Sequence, residues 1–300
     1  PNGATALFWT PTQVFLHSQG TLMATPVLFQ ASDIPDVRGI IYRSLSNEAL
    51  IWTPIMVLKY DLSAGIVTEV QDGGASIPDV QGIIYNPIAV EALLWNPGEV
   101  LRYDSGTGTT SEVLHGGASV ANVRNILYEP FGTEALIWKP GQILRYVPAT
   151  GTVSEVLDGG GSIANLQGIV WDPWGTEALM WTPSKVLNYV GGVVNEVQEN
   201  GAPITDVQGM LYHPFGWEAL IWNAYSVFTT AGGLNAQEIL ENGIPIGHTR
   251  GIVYVYSWEP LALIWTETKV LRYLGFGLNA EEVLEQPGGP SIADAQGIVY

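Results

Sequence analysis

Side chains able to do chemistry are few in this chain and widely spaced. Four histidines, His17, His115, His213 and His248, are the natural general bases, but they fall at unrelated positions with no serine and aspartate set around them. No histidines share metal-site spacing, and no phosphate-cradling glycine loop or Asp-rich calcium loop occurs. Asp72-Gly73-Gly74 and Asp158-Gly159-Gly160 read as turns. Cysteine is absent, which removes thiol chemistry and disulfides. The expectation is a protein that is not an enzyme and that holds no cofactor and no metal.

The polar and aromatic residues that do recur follow a rhythm. Lys59, Arg102, Arg145 and Arg272 are each followed ten residues later by Glu69, Glu112, Glu155 and Glu282. A hairpin centred between them would set each pair opposite, a contact of about 0.2–1 kcal/mol. Asn188 and Glu196 keep this register across a shorter turn, whereas Leu16 and Pro26 lack both charges. A second set is Arg38, Gln81, Arg124, Gln167, Gln208, Arg250 and Gln296, one per repeat, read as a ring of donors at a channel mouth. It could meet a small anion, a polar ligand or a partner's loop, or simply bond neighbouring strands. Two residues earlier stand Asp36, Asp79, Asn122, Asn165, Asp206 and Asp294, suited to capping a turn. A third set, Phe131, Trp174, Phe215, Trp217, Tyr256 and Trp258, lies at turns in the last four repeats and is the candidate interaction surface.

The elements that must carry these sets are short strands. An Ala-Leu-(Ile/Leu/Met)-Trp motif and its variants place Trp9, Trp52, Trp95, Trp138, Trp181, Trp222 and Trp265 at intervals of 43, 43, 43, 43, 41 and 43 residues. A Gly-Ile-Val-Tyr type of motif ends at Tyr42, Tyr85, Tyr128, Trp171, Tyr212, Tyr254 and Tyr300. Repeat five shows four apolar or mixed runs, Gln167–Trp171, Glu177–Trp181, Lys185–Tyr189 and Val193–Gln198, separated by Gly and Pro turns. The first two runs are apolar on both faces and the last is polar, as a radially graded blade requires. The spacing predicts an all-β chain: a single domain over 1–300, a seven-bladed β-propeller of four-stranded antiparallel blades. Gly297–Tyr300 would close it by pairing with the N-terminal strand Ala6–Trp9. A linear solenoid is the rival architecture. The seven tryptophans are expected in the core between blades rather than on sugar faces.

The unit Gly168-Ile169-Val170-Trp171-Asp172-Pro173, followed by Glu177–Trp181 and Lys185–Tyr189, resembles the NHL-repeat type of β-propeller, and residues 125–157 keep the same order. That resemblance implies the propeller fold. Related propellers include gluconolactonase-like hydrolases and lyases with a metal or catalytic groups in the central channel. Here the inner strands read as free of Glu, Asp and His, so such a site is not expected.

Composition narrows the partners. Hydrophobic residues make up 47%, charged residues 13%, and 29 acidic against 11 basic residues give a formal charge of −18. That balance disfavours nucleic acid and anionic membranes, and no apolar run is long enough to span a bilayer. The start Pro1-Asn2-Gly3 suggests a processed, secreted terminus. The expected function is a non-enzymatic extracellular structural protein that self-associates into a filament, tube or surface layer. The alternative is a lectin-like module that binds glycans in pockets between blades.

Overall fold

The computed structural model describes residues 5–43, 46–216, 218–230, 233–255, 261–275, 277–285 and 290–295. Among them every regular element is a β-strand, as expected where β-branched and aromatic runs are cut by Gly and Pro. The chain divides into two compact units, Pro1–Glu155 and Val156–Tyr300.

In the first unit, repeat one supplies a three-stranded antiparallel sheet of Thr5–Trp9, Val14–Ser18 and Ala24–Val27. Repeat two pairs Gly39–Tyr42, Glu48–Trp52, Val57–Asp61 and Ile66–Asp72 in chain order, and Ala75–Ser76 folds back on the last. Repeat three does the same with Gly82–Tyr85, Glu91–Trp95, Val100–Asp104 and Thr109–Glu112. Repeat four opens with Asn125–Tyr128, Ala135–Lys139 and Gln142–Val147, and Thr152–Asp158 carries the chain into the second unit.

In the second unit, repeat five consists of Gly168–Trp171, Ala178–Thr182, Lys185–Val190 and Val193–Glu199, within a residue of the runs read from sequence. Repeat six consists of Gly209–Tyr212, Ala219–Trp222, Val227–Thr230 and Asn235–Glu241. The outer strands of these two repeats pair in parallel, Gln198 with Asn235 and Glu199 with Ala236, which joins both meanders into one ten-stranded sheet. Its end strands, Gly168–Trp171 and Gly209–Tyr212, approach within 8 Å, so the sheet nearly closes on itself. Repeat seven is a separate four-stranded sheet of Thr249–Val255, Leu261–Thr266, Val270–Tyr273 and Ala280–Val283.

The core lies between successive repeats. Leu50, Val57 and Val70 of repeat two pack with Ile83, Tyr85, Ala92, Leu94, Leu101 and Tyr103 of repeat three. Repeats six and seven meet in the same way through Leu220, Val227, Ile239, Ile252, Tyr254 and Leu271. Second strands of repeats two to six are mostly buried, as in Glu91–Trp95, and fourth strands only at isolated positions, as in Ile66–Asp72. This is the inside-to-outside gradient expected of the four runs.

Two backbone devices repeat. Gly39, Gly82, Gly168, Gly209 and Gly251 sit opposite Trp52, Trp95, Trp181, Trp222 and Trp265, whose indoles occupy the space a Cβ would need; at Gly82 it would lie 2.1 Å from the Trp95 ring. Trp52, Trp181 and Trp222 pack into the inter-repeat clusters, and Trp95 is part of one. Trp9 departs from the core expectation and is 45% exposed. The second device is a left-handed residue before each inner strand: Asp36, Asp79, Asn122, Asn165, Asp206, His248 and Asp294 all have φ between 54° and 57°. Asp, Asn and His tolerate this conformation better than other side chains. The N–H of Asp79 then donates to Pro54 O (2.8 Å) and that of His248 to Ala224 O (2.8 Å), tying each return segment to its own repeat's second turn.

The cross-strand charge pairs are corrected by the register. Lys59 faces Thr68 and Arg102 faces Ser111, while Glu69 and Glu112 face Leu58 and Leu101. Asn188 likewise faces Asn195, and Leu187 faces Glu196. In repeat seven Arg272 faces Glu281, with Nη2 2.6 Å from its carboxylate, and Glu282 faces Leu271. The turns place the hairpin axis half a residue away from the expected centre, and an offset of one residue sends a side chain to the other face. The closing strand Gly297–Tyr300 lies outside the described residues.

Candidate functional site

The polar groups that the structure gathers are carboxylates at the start of the second strands. Glu48, Glu91, Glu134 and Glu218 are buried, and Glu177 is half-buried. Burial of an ionised carboxylate requires donors, and each repeat supplies them. Glu48 accepts the Tyr85 hydroxyl at 2.8 Å and the Ser105 hydroxyl at 2.6 Å, with Lys59 Nζ at 3.4 Å. Glu91 accepts Tyr128 Oη at 2.8 Å and Arg102 Nε at 2.7 Å. Glu134 pairs with Arg145. In the second unit Glu177 accepts Tyr212 Oη at 3.0 Å and Asn188 Nδ2 at 2.7 Å. Glu218 accepts Thr229 Oγ1 at 2.9 Å, Tyr273 Oη at 3.0 Å and Tyr254 Oη at 3.3 Å.

The third-strand partner thus changes from Lys and Arg to Asn and Thr along the chain. Burial, unrelieved by a cation among these partners, raises the Glu218 carboxyl above the usual range. Burial first, and the neighbouring carboxylate second, push Tyr85, Tyr128 and Tyr254 well above the ordinary phenol range. Tyr146 is pushed up to about 12 by the same two causes. Each tyrosine belongs to the repeat after its glutamate, so the arrangement tethers neighbours. These glutamates stand on second strands, while the inner strands of repeats two to seven carry no Glu, Asp or His, as read from sequence. Their signal was visible in sequence, as a Glu before Ala-Leu in repeats two to six.

The sets singled out from sequence are placed as follows. Arg38, Gln81, Arg124, Gln167, Gln208 and Arg250 are all exposed, and Gln296 lies outside the described residues. Backbone N–H groups of the first five donate to Trp52, Trp95, Trp138, Trp181 and Trp222 carbonyls, extending the inner strand pairing. The Arg38 and Arg250 guanidinium groups lie 3.7 Å from Asp79 and 3.8 Å from Glu267.

Of the aromatic tips, Phe131 is 47% and Trp174 55% exposed. The Trp174 indole lies against Gly216 and its Nε1 donates to Phe215 O at 2.6 Å, linking two successive turns. Phe215 is half-buried beside His213, their ring centroids 5.5 Å apart. Trp217, Tyr256 and Trp258 lie outside the described residues. His213 is buried, its ring edge-on to Tyr254, and desolvation lowers its pKa. His17 instead bonds Thr21 O. Among the described residues no group of three or more His, Asp or Glu gathers in a metal-binding arrangement.

Grooves occur at equivalent places in the two units. One of about 280 Å³ is lined by Phe29, Ile34, Asp36, Pro54, Ile55 and Met56. The other, of about 430 Å³, is lined by Glu241, Ile244, His248, Thr266, Thr268 and Lys269. Each lies between a return segment and the second turn of the next repeat.

These features define an all-β protein of repeated antiparallel sheets tethered by buried glutamates. No family model matches the sequence, and no curated protein matches it. Among solved structures it is similar to the extracellular domain of a proposed one component system from B. thetaiotaomicron, with TM-score 0.46 and 12% identity. The extracellular domain of a proposed hybrid two component system from the same organism gives the same values. The match covers 93% of this chain and 45% of each of those, so the chain spans less than half their length. At that level of similarity they define neither its fold nor its activity.

Proposed function

We propose that the seven repeats form one NHL-like seven-bladed β-propeller, with Gly297–Tyr300 completing the blade of Thr5–Trp9. We further propose that it serves as a non-enzymatic, extracellular structural protein that associates with copies of itself. The observation that carries this reading is a set of apolar side chains held outward on braced turns. Ile88 is 70% and Phe131 47% exposed. Their turns are fixed by Asn86 Nδ2 donating to Gly132 O (2.7 Å) and by Glu129 accepting from Phe131 N (2.6 Å) and Thr133 N (2.8 Å). Apolar groups already ordered before contact lose little entropy on association.

The test is light scattering with electron microscopy on native protein. The wild type should form ordered assemblies, and Ile88→Ser with Phe131→Ser should give a folded particle near 32.4 kDa. A wild-type protein that stays at that mass at all concentrations overturns the proposal. A second reading, a lectin-like module, is favoured by the recurring grooves. It predicts several equivalent weak sites in a glycan panel, and a flat panel removes it.

A further inference from the structure

The residue that follows the inner strand shares one task in repeats three to six, accepting hydrogen bonds within its own turn. Asn86 Oδ1 accepts from Ile88 N and Ala89 N; Glu129 accepts from Phe131 N and Thr133 N. Asp172 accepts from Trp174 N and Glu177 N, and His213 Nδ1 accepts from Phe215 N. Each is an acceptor that folds its own turn. In repeat two the same position is Arg43, which can accept nothing.

There the turn is held by Ser46 instead, whose hydroxyl receives Glu48 N (3.1 Å) and donates to Arg43 O (3.3 Å). The Arg43 side chain is released to reach the next repeat, where Nη1 donates to Ser105 Oγ at 3.1 Å. Ser105 stands where repeat two has Leu62, is 6% exposed, and donates to buried Glu48. Arg43 departs from the acceptor found here in repeats three to six, as Val255 does in repeat seven, and such departures are expected at functional or strained sites.

The two residues line a cavity of about 230 Å³ in the first unit, with Ser46, Asn47, Glu48, Lys59, Asp61 and Ser63. Its carboxylates are largely engaged. Glu48 already receives Tyr85 and Ser105 beside Lys59, and Asp61 Oδ1 receives Ser63 N, Ser63 Oγ and Ala64 N. Its donors are not. A guanidinium has five N–H groups and an ammonium three; Arg43 donates one to Ser105, and Lys59 lies 3.4 Å from Glu48 with a weaker pull on Asp61. A donor-rich cavity calls for an acceptor-rich ligand, and an arginine fork suits a carboxylate. Glu48 and Asp61 at the wall and a net charge of −18 disfavour a dianion. The hydroxyls of Ser46 and Ser63 and the Asn47 amide suit ligand hydroxyls. At about 30 Å³ per water, the volume holds roughly eight waters, the size of a single small acid.

We propose that this cavity binds a small hydroxylated monocarboxylate through Arg43 and Lys59. The test is titration calorimetry of the whole chain with glycerate and threonate, against glycerol as the neutral counterpart and inorganic phosphate as the dianion. Arg43→Asn installs the residue that repeat three uses, so its turn should fold at least as well. Lys59→Asn, matching Asn188, is a second variant that preserves the strand. Saturable binding of an acid by the wild type, weakened about tenfold or more by either variant and absent for glycerol, is the expected result. No acid binding, equal binding by Arg43→Asn, or equal binding of glycerol or phosphate overturns the proposal.

Discussion

A hydrogen atom is all that the position opposite most of the inner tryptophans can carry. A Cβ at Gly82 would stand 2.1 Å from the Trp95 ring, and at Gly168 2.0 Å from that of Trp181. Neither glycine is described by a positive φ, so the requirement is space for the indole rather than backbone freedom. Gly82→Ala should therefore lower stability by about 2–3 kcal/mol, as overpacked sites do, read as a lower urea midpoint at unchanged slope. An unchanged midpoint would mean that the indole can swing aside. The pairing of Gly with Trp was legible as a repeat marker, since both recur at fixed spacing. Why the glycine is needed was not, because that depends on which residues face each other across strands. The exposure of Trp9 was not legible either, because its motif resembles those of the other six.

At the scale of strands, the glutamate at the start of the second strand explains the cation on the third in repeats two to four. Lys59, Arg102 and Arg145 pair with Glu48, Glu91 and Glu134, while Glu69 and Glu112 face Leu58 and Leu101. Sequence offered both partners for each cation. Only the register chooses between them, and a hairpin centre misjudged by half a residue selects the wrong face. The Glu218 site, with hydroxyl donors in place of a cation, behaves differently with pH. Its folded pKa is raised by burial, so the protonated carboxyl is the form the fold favours. Its contribution is fully present below the unfolded value of about 4.3 and is lost as pH rises through the folded one. Glu218→Gln should remove that slope, giving a melting temperature that varies less than the wild type's from acid to neutral pH. Glu91→Gln should instead destabilise at neutral pH, because it leaves Arg102 without its partner.

For the molecule as a whole, strand number, order and the burial gradient were legible because seven near-copies of one pattern reinforce each other. Pairing between outer strands was not. Gln198 N donates to Leu234 O and Leu240 N to Leu278 O across successive repeats, and no side-chain pattern announces backbone bonds at a rim. These bonds occupy edge groups that would otherwise be open to another chain. The proposed association between copies would draw on the side-chain surfaces of a chain with a net charge of −18. Repulsion of that kind is screened over about 10 Å at 0.1 M salt and about 3 Å at 1 M. Assembly through apolar tips should then grow as salt is raised from about 0.01 M to 1 M, followed by scattering mass. Dissolution by salt would assign the contacts to ion pairs instead.

The left-handed residue before each inner strand is selected for its torsion, not its charge, since Asp, Asn and His all fill it with φ near 55°. Each copy can therefore drift between an anion, a neutral amide and a titratable ring without disturbing the backbone that follows. Four of these seven positions hold aspartate. The molecule's electrical character is thus open to gradual evolutionary change at places where its architecture is most fixed.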